Sequence, residues 1–210
     1  MSVRARFTQE ENIIRQIRSN LSMVHAVRSN HPTIYASSPT STGKRMYDYF
    51  RTYRVTSVPQ LIKKTNRNFY LHHIMHVNIQ EGIDFGLHLQ TKGVEKIIVP
   101  GIFFAEGWTQ DHYISLWERV INDEVDEVIF NHNWEYSDGC VQELLIGLRA
   151  GKTLRLRSDL KKKLDLSQAL KKIKRAVQYV DSIGANSKNL YNTYRRIELH
   201  ALKGQRLKNS

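Results

Sequence analysis

Short apolar runs alternate with amphipathic stretches through the middle of the chain. Runs at 33–37, 96–100, 126–131 and 153–157 are bounded by polar turns and predict strands, while 42–54, 78–92, 109–123 and 139–150 carry helical periodicity. Short strands separated by helices predict an α/β fold with a doubly wound, mainly parallel sheet, whose ligands bind at the C-terminal ends of the strands. Upstream, Thr8 and Glu11 have the form of a capping box, and Ile13, Ile14, Ile17, Leu21, Val24 and Val27 form one apolar face before His31-Pro32 ends the helix. Downstream, Leu166, Leu170, Ile173, Val177 and Val180 recur at helical spacing, and Leu190, Tyr194, Ile197 and Ala201 predict a second helix after a break at Gly184. Three parts follow: an N-terminal helix (1–32), an α/β domain (33–157) and a helical extension (158–210).

Charge changes the picture of the extension. Of the 32 Lys/Arg and 20 Asp/Glu, residues 1–148 hold 15 and 16, net −1, whereas residues 149–210 hold 17 and 4, net +13. Lys171, Lys172, Lys174 and Arg175 surround the apolar stripe of the first tail helix, so residues 149–210 form a candidate face for DNA or RNA, the alternative being a solvated face that aids solubility. The hairpin is expected to dock on the core or on another subunit, and the N-terminal helix beside it or across a dimer interface, so a homo-oligomer is expected. No apolar run approaches the roughly 18 residues that span a bilayer, no secretory pattern opens the chain, and Cys140 is the single cysteine. These features predict a cytoplasmic protein without membrane association or internal disulfide, with Cys140 as a small buried side chain.

Candidate chemistry concentrates between Asp126 and Gly151. The strand Val128-Ile129-Phe130 opens into a polar turn, then Ser137-Asp138-Gly139 leads into a helix with Glu143 one turn inside it. Unpaired N–H groups at that helix start favour an anion, so a phosphate on the loop would leave Glu143 facing the group attached to it. The bland alternative makes Ser137 or Asp138 an N-cap and Glu143 a solvated acid. A second loop, Ser37-Ser38-Pro39-Thr40-Ser41-Thr42-Gly43-Lys44-Arg45, follows the first strand and lies at the same edge of the sheet.

Together the two segments resemble the nucleoside 2-deoxyribosyltransferase-like superfamily, including its nucleotide N-hydrolase branches. There the first strand ends in a Tyr and a Ser/Gly/Arg loop, and a later S-x-G-x-x-x-E motif supplies the catalytic glutamate. Tyr35, Ser37, Ser38, Gly43, Arg45, Ser137, Gly139 and Glu143 occupy the matching places, and the resemblance extends over roughly residues 33–157. It implies catalysis by Glu143 with Tyr35, substrate or phosphate binding by Ser37, Ser38, Gly43, Arg45, Ser137 and Gly139, no cofactor, and a nucleotide substrate whose N-glycosidic bond is hydrolysed or transferred. Where the family carries an aspartate on the helix before the third strand, this chain has Glu118, taken here as a further catalytic candidate. The stretch Tyr47–Val77 is longer than the family requires and is expected to form a lid or a substrate-selecting insertion.

Other constellations are secondary. Trp108, His132 and Trp134 follow strand ends and are candidates for a base pocket. His72, His73 and His76 lack a cysteine or well-spaced carboxylate and predict no metal site. Two further readings share the pocket: a glycosidase acting on NAD or on a base within nucleic acid held by the tail, and a non-catalytic nucleotide sensor or nucleic-acid-binding scaffold.

Overall fold

The computed structural model describes residues 9–19, 31–103, 105 and 107–208, with side chains to residue 203. Thr8, Leu21, Val24 and Val27 of the expected N-terminal helix lie outside the described residues. Four strands, β1 (Thr33–Ser37), β2 (Lys96–Ile98), β3 (Glu127–Phe130) and β4 (Thr153–Leu156), form one parallel sheet in the order β2-β1-β3-β4. Register is set by Tyr35 opposite Ile98 on one side of β1 and Val128 on the other, and by Val128 opposite Leu154. β2 is shorter than its apolar run, because Pro100 has no N–H for the ladder and opens a 3₁₀ turn, Pro100–Ile102.

The helices are α1 (residues 9–19), α2 (Lys44–Tyr53), α3 (Val58–Lys64), α4 (Arg67–Tyr70), α5 (His76–Thr91), α6 (Gln110–Glu124), α7 (Asp138–Arg149), α8 (Leu166–Ser182) and α9 (Lys188–Lys208). Side chains along β1 alternate between two cores. Ile34 and Ala36 pack with Phe85 and Leu89 of α5 on one face; Tyr35 shares the other face with Trp117 of α6 and Leu144 of α7. The sheet is thus covered on both sides, as a doubly wound α/β fold requires.

α7 lies unusually close to the sheet, since a Cβ at Gly147 would come within 2.7 Å of Leu154 Cδ2 and 3.6 Å of Val128 Cγ2. That approach carries Glu143, one turn earlier, to the strand end. α1 packs on α6 through Ile14 and Ile17 and is held by Arg119–Glu10 (2.7 Å) and Arg18–Glu124 (2.6 Å) ion pairs.

The hairpin α8–α9 packs on α7 and completes the main core with Ala169, Ile173, Ala176, Val177, Leu190 and Ile197. α8 also reaches a second core through Val180, which meets Tyr47 and Phe50 of α2, Leu61 of α3 and Ile74. Ile74 belongs to a π-helical turn, Leu71–Met75, that joins α4 to α5. No helix among the described residues is long and apolar enough to cross a membrane.

Candidate functional site

A cavity of 340 Å³ opens at the C-terminal edge of the sheet, between the loop after β1, the loop after β2, and α5, α6 and α7. Two helices supply matching faces. Gln110, Tyr113, Ile114 and Trp117 of α6 and Gly139, Gln142, Glu143 and Ile146 of α7 line it, each set at i, i+3, i+4 and i+7. Ser38, Thr40, Ser41, Thr42 and Ser137 add hydroxyls, whereas Met75, Ile79, Phe103 and Trp108 add apolar surface.

Glu143 is the only carboxylate lining the cavity among the described residues, and it is nearly enclosed, 9% exposed. Alternation along β1 points Tyr35 and Ser37 at the same face, and each donates to a different oxygen: Tyr35 Oη to Oε1 at 2.7 Å, Ser37 Oγ to Oε2 at 2.6 Å. Burial pushes Glu143 up to about 7, against the downward pull of the two hydroxyl donors. The same burial, with the nearby Glu143 charge, holds the Tyr35 phenol neutral far above its ordinary range and raises the Cys140 thiol. The Tyr35 ring stands edge-on to Trp117 at 5.7 Å, and Trp117 meets Phe103 at the same distance, so one aromatic chain runs from the strand to the cavity wall.

The two motif loops converge. Ser137 caps α7 by accepting from the Cys140 N–H at 3.4 Å, and its hydroxyl lies 3.3 Å from Thr42 Oγ1 on the first loop. Gly43 caps α2 with φ +132°, in the left-handed region, and no side chain fills its cap. Tyr70 donates to the Ser41 carbonyl at 2.9 Å, and the π turn places Met75 in the wall, so the Tyr47–Val77 stretch contributes directly to the cavity. Buried Asn78 donates to the Thr40 carbonyl at 2.8 Å, and Asn131 donates to Ser38 Oγ at 3.0 Å, fixing the loop from behind.

No protein-family model, curated protein or solved structure matches this chain. The site therefore stands on its own geometry.

The structure gathers Glu143, Ser38, Ser137, Gly139 and Trp108 at the cavity wall, with Tyr35 buried behind it and bonded to Glu143. Several expected positions are corrected. Ser37, expected on a phosphate, is fully buried and serves the carboxylate of Glu143. Arg45 pairs with Glu81 and donates to Asn78 at 3.2 Å, outside the cavity. Glu118 is exposed, because it lies about 100° round α6 from inward-facing Trp117. His132 is exposed beyond the strand end, and Trp134 is buried against Phe130 in the core, so neither lines the cavity. Gln110, Gln142 and Met75 escaped the sequence reading. Gln142 lies three residues after Gly139 on the helix face of Glu143, a spacing that could have found it; Gln110 and Met75 arrive through tertiary packing. Among the described residues, no group of three His, Cys, Asp or Glu is placed to hold a metal ion.

Proposed function

We propose that this protein hydrolyses or transfers the N-glycosidic bond of a nucleotide, with Glu143 as nucleophile. The observation that carries the reading is the carboxylate at the cavity wall, desolvated yet held through both oxygens by Tyr35 and Ser37. One oxygen attacks C1′ as the C1′–N bond breaks, the base leaves with the bonding electron pair and is protonated from solvent, and a glycosyl ester forms. Water, or a nitrogen of a second base, then attacks C1′ and returns the carboxylate. Each oxygen keeps a lone pair for attack while accepting one hydrogen bond. Tyr35 and Ser37 are positioning residues that set the acid's rotamer and proton affinity. Incubation with nucleoside monophosphates, NAD and oligonucleotides tests the reading by released base; no release from any of them rejects it.

The acid must be ionised to attack, so kcat/KM is expected to rise with pH through an inflection near 7. Ser37→Ala removes a donor that favours the anion and should move this limb upward. A limb left unchanged in Ser37→Ala assigns the inflection to another group.

A 5′-phosphate fits the hydroxyl side of the cavity, where Ser38, Thr40, Ser41, Thr42 and Ser137 meet the start of α7. Nucleotide should be preferred over nucleoside, and Ser137→Ala should narrow that preference, since the phosphate lies away from the breaking bond. Equal preference in wild type and Ser137→Ala reduces Ser137 to a helix cap, worth about 1 kcal/mol of stability.

Lys171, Lys172, Lys174 and Arg175 are exposed, and among the described residues none of them forms an ion pair. This favours a second property, non-specific binding of DNA or RNA along α8.

A further inference from the structure

Two cavity-lining side chains have no part in the chemistry above. Gln142 stands beside Glu143 on the cavity face of α7, and Gln110 begins the facing stretch of α6. The Gln110 carboxamide reaches across to the start of α7, where a Cβ at Gly139 would lie 3.4 Å from its Nε2, and Gln142 follows on the next turn of the same helix face. Among the described residues, neither carboxamide is hydrogen-bonded to another protein group. Apolar and aromatic surface from Phe103, Trp108, Tyr113 and Trp117 lines the same space, with Trp108 and Tyr113 edge to face at 5.3 Å. A flat heterocycle stacked there would present its edge to the two amides.

A carboxamide offers one acceptor and one donor side by side, and pairs in two-pronged fashion with an amino group next to a ring nitrogen. Cytosine has one such edge. Adenine has two, because its 6-amino group is flanked by N1 and N7, so each of its two amino hydrogens can go to a different carboxamide oxygen while N1 and N7 accept from the two amide nitrogens. Hypoxanthine satisfies one carboxamide through N1–H and O6 but sets two acceptors, O6 and N7, against the other; guanine could serve a second only through its 2-amino group and N3, the edge crowded by the sugar on N9. We propose that Gln110 and Gln142 read a 6-aminopurine, making the base bound beside Glu143 adenine.

The proposal rests on the N-glycosidic reading for its place in catalysis, but the subsite is tested without turnover. Trp108 and Trp117 report ligand through their fluorescence. Titration with free adenine, hypoxanthine, cytosine and uracil is expected to give adenine the tightest binding, by about tenfold or more over hypoxanthine. Gln110→Met and Gln142→Met keep length and apolar stem; each should weaken adenine by about tenfold, whereas only one of the two should weaken hypoxanthine, which has matching groups for a single carboxamide. Unchanged thermal unfolding of both variants shows that the fold is retained. Equal binding of all four bases by the wild type, preference for a base other than adenine, or an adenine preference that survives both substitutions overturns the proposal. Base release from the four monophosphates separates the two readings. Adenine preference without release rejects the glycosidase and leaves the subsite standing; release from all four at similar kcat/KM does the reverse.

Discussion

Glu143→Gln should lower turnover by a factor on the order of a thousand or more while nucleotide still binds, as expected on loss of a nucleophile. The substitution is sterically mild. The amide oxygen accepts from Tyr35 as Oε1 does now, and the Ser37 hydroxyl can rotate to accept from the amide nitrogen in place of donating. Single-turnover base release and equilibrium binding on the same preparation check it. Near wild-type turnover would remove Glu143 from the nucleophile's role.

The same variant should be more stable than the wild type at pH 8. Burial raises Glu143 from 4.5 to about 7, so between those values the folded chain binds a proton that the unfolded chain has released. Stability from this group is present below about 4.5 and is lost as pH rises through 7, by roughly 1–3 kcal/mol. Asp138, pushed up to about 6 by burial, acts in the same direction. Melting curves at pH 5 and pH 8 should converge at the lower value and separate at the higher. Near pH 5 the acid is protonated in the folded chain and hardly differs from the amide.

Ending the chain at Arg157 is expected to abolish cooperative unfolding altogether. The hairpin contributes Ile173, Val177, Leu190 and Ile197 to the main core and Val180 to the second. Deleting one such side chain costs about 2–5 kcal/mol, against a total stability of about 5–15 kcal/mol for a domain. Truncation therefore cannot test nucleic-acid binding. Charge reversal at exposed Lys171, Lys172 and Lys174 can, because those positions carry charge without core contacts. Affinity for an oligonucleotide at about 50 mM salt should fall at least tenfold, and the salt slope should drop by about one per lost phosphate contact. Binding that ignores both salt and the reversals would leave α8 as a packing element. A triple variant that melts cooperatively excludes misfolding as the cause.

Much of this was legible in the sequence. Strand positions followed from apolar runs, and α7 came within a residue at each end, because Ser137 and Gly151 mark its limits chemically. The position of the acid one turn inside a capped helix was legible, but its burial was not: the sequence left a solvated first-turn acid open, and packing against β1 closes that alternative. What failed was direction. Ser37 and Ser38 are adjacent and alike, but a strand turns them to opposite faces, and only the packed sheet decides which meets Glu143. Trp134 follows a strand end as a pocket residue would, yet the loop folds it under Phe130. Gln110 acquires meaning only through the packing of α6 on α7, which brings it to the cavity.

Of the four strands of the sheet, β1 is synthesised first, and it is one of the two central strands. Its neighbour β3 aligns with it residue for residue, Ser37 opposite Phe130, more than ninety positions later. At about 5–20 residues per second, a ribosome would need roughly 5–20 s to supply that partner. For that interval Thr33-Ile34-Tyr35-Ala36-Ser37 is an apolar segment with neither edge paired through β3 nor covered by α7. A chaperone acting during translation would find a target here, on the segment whose Tyr35 and Ser37 later hold the carboxylate.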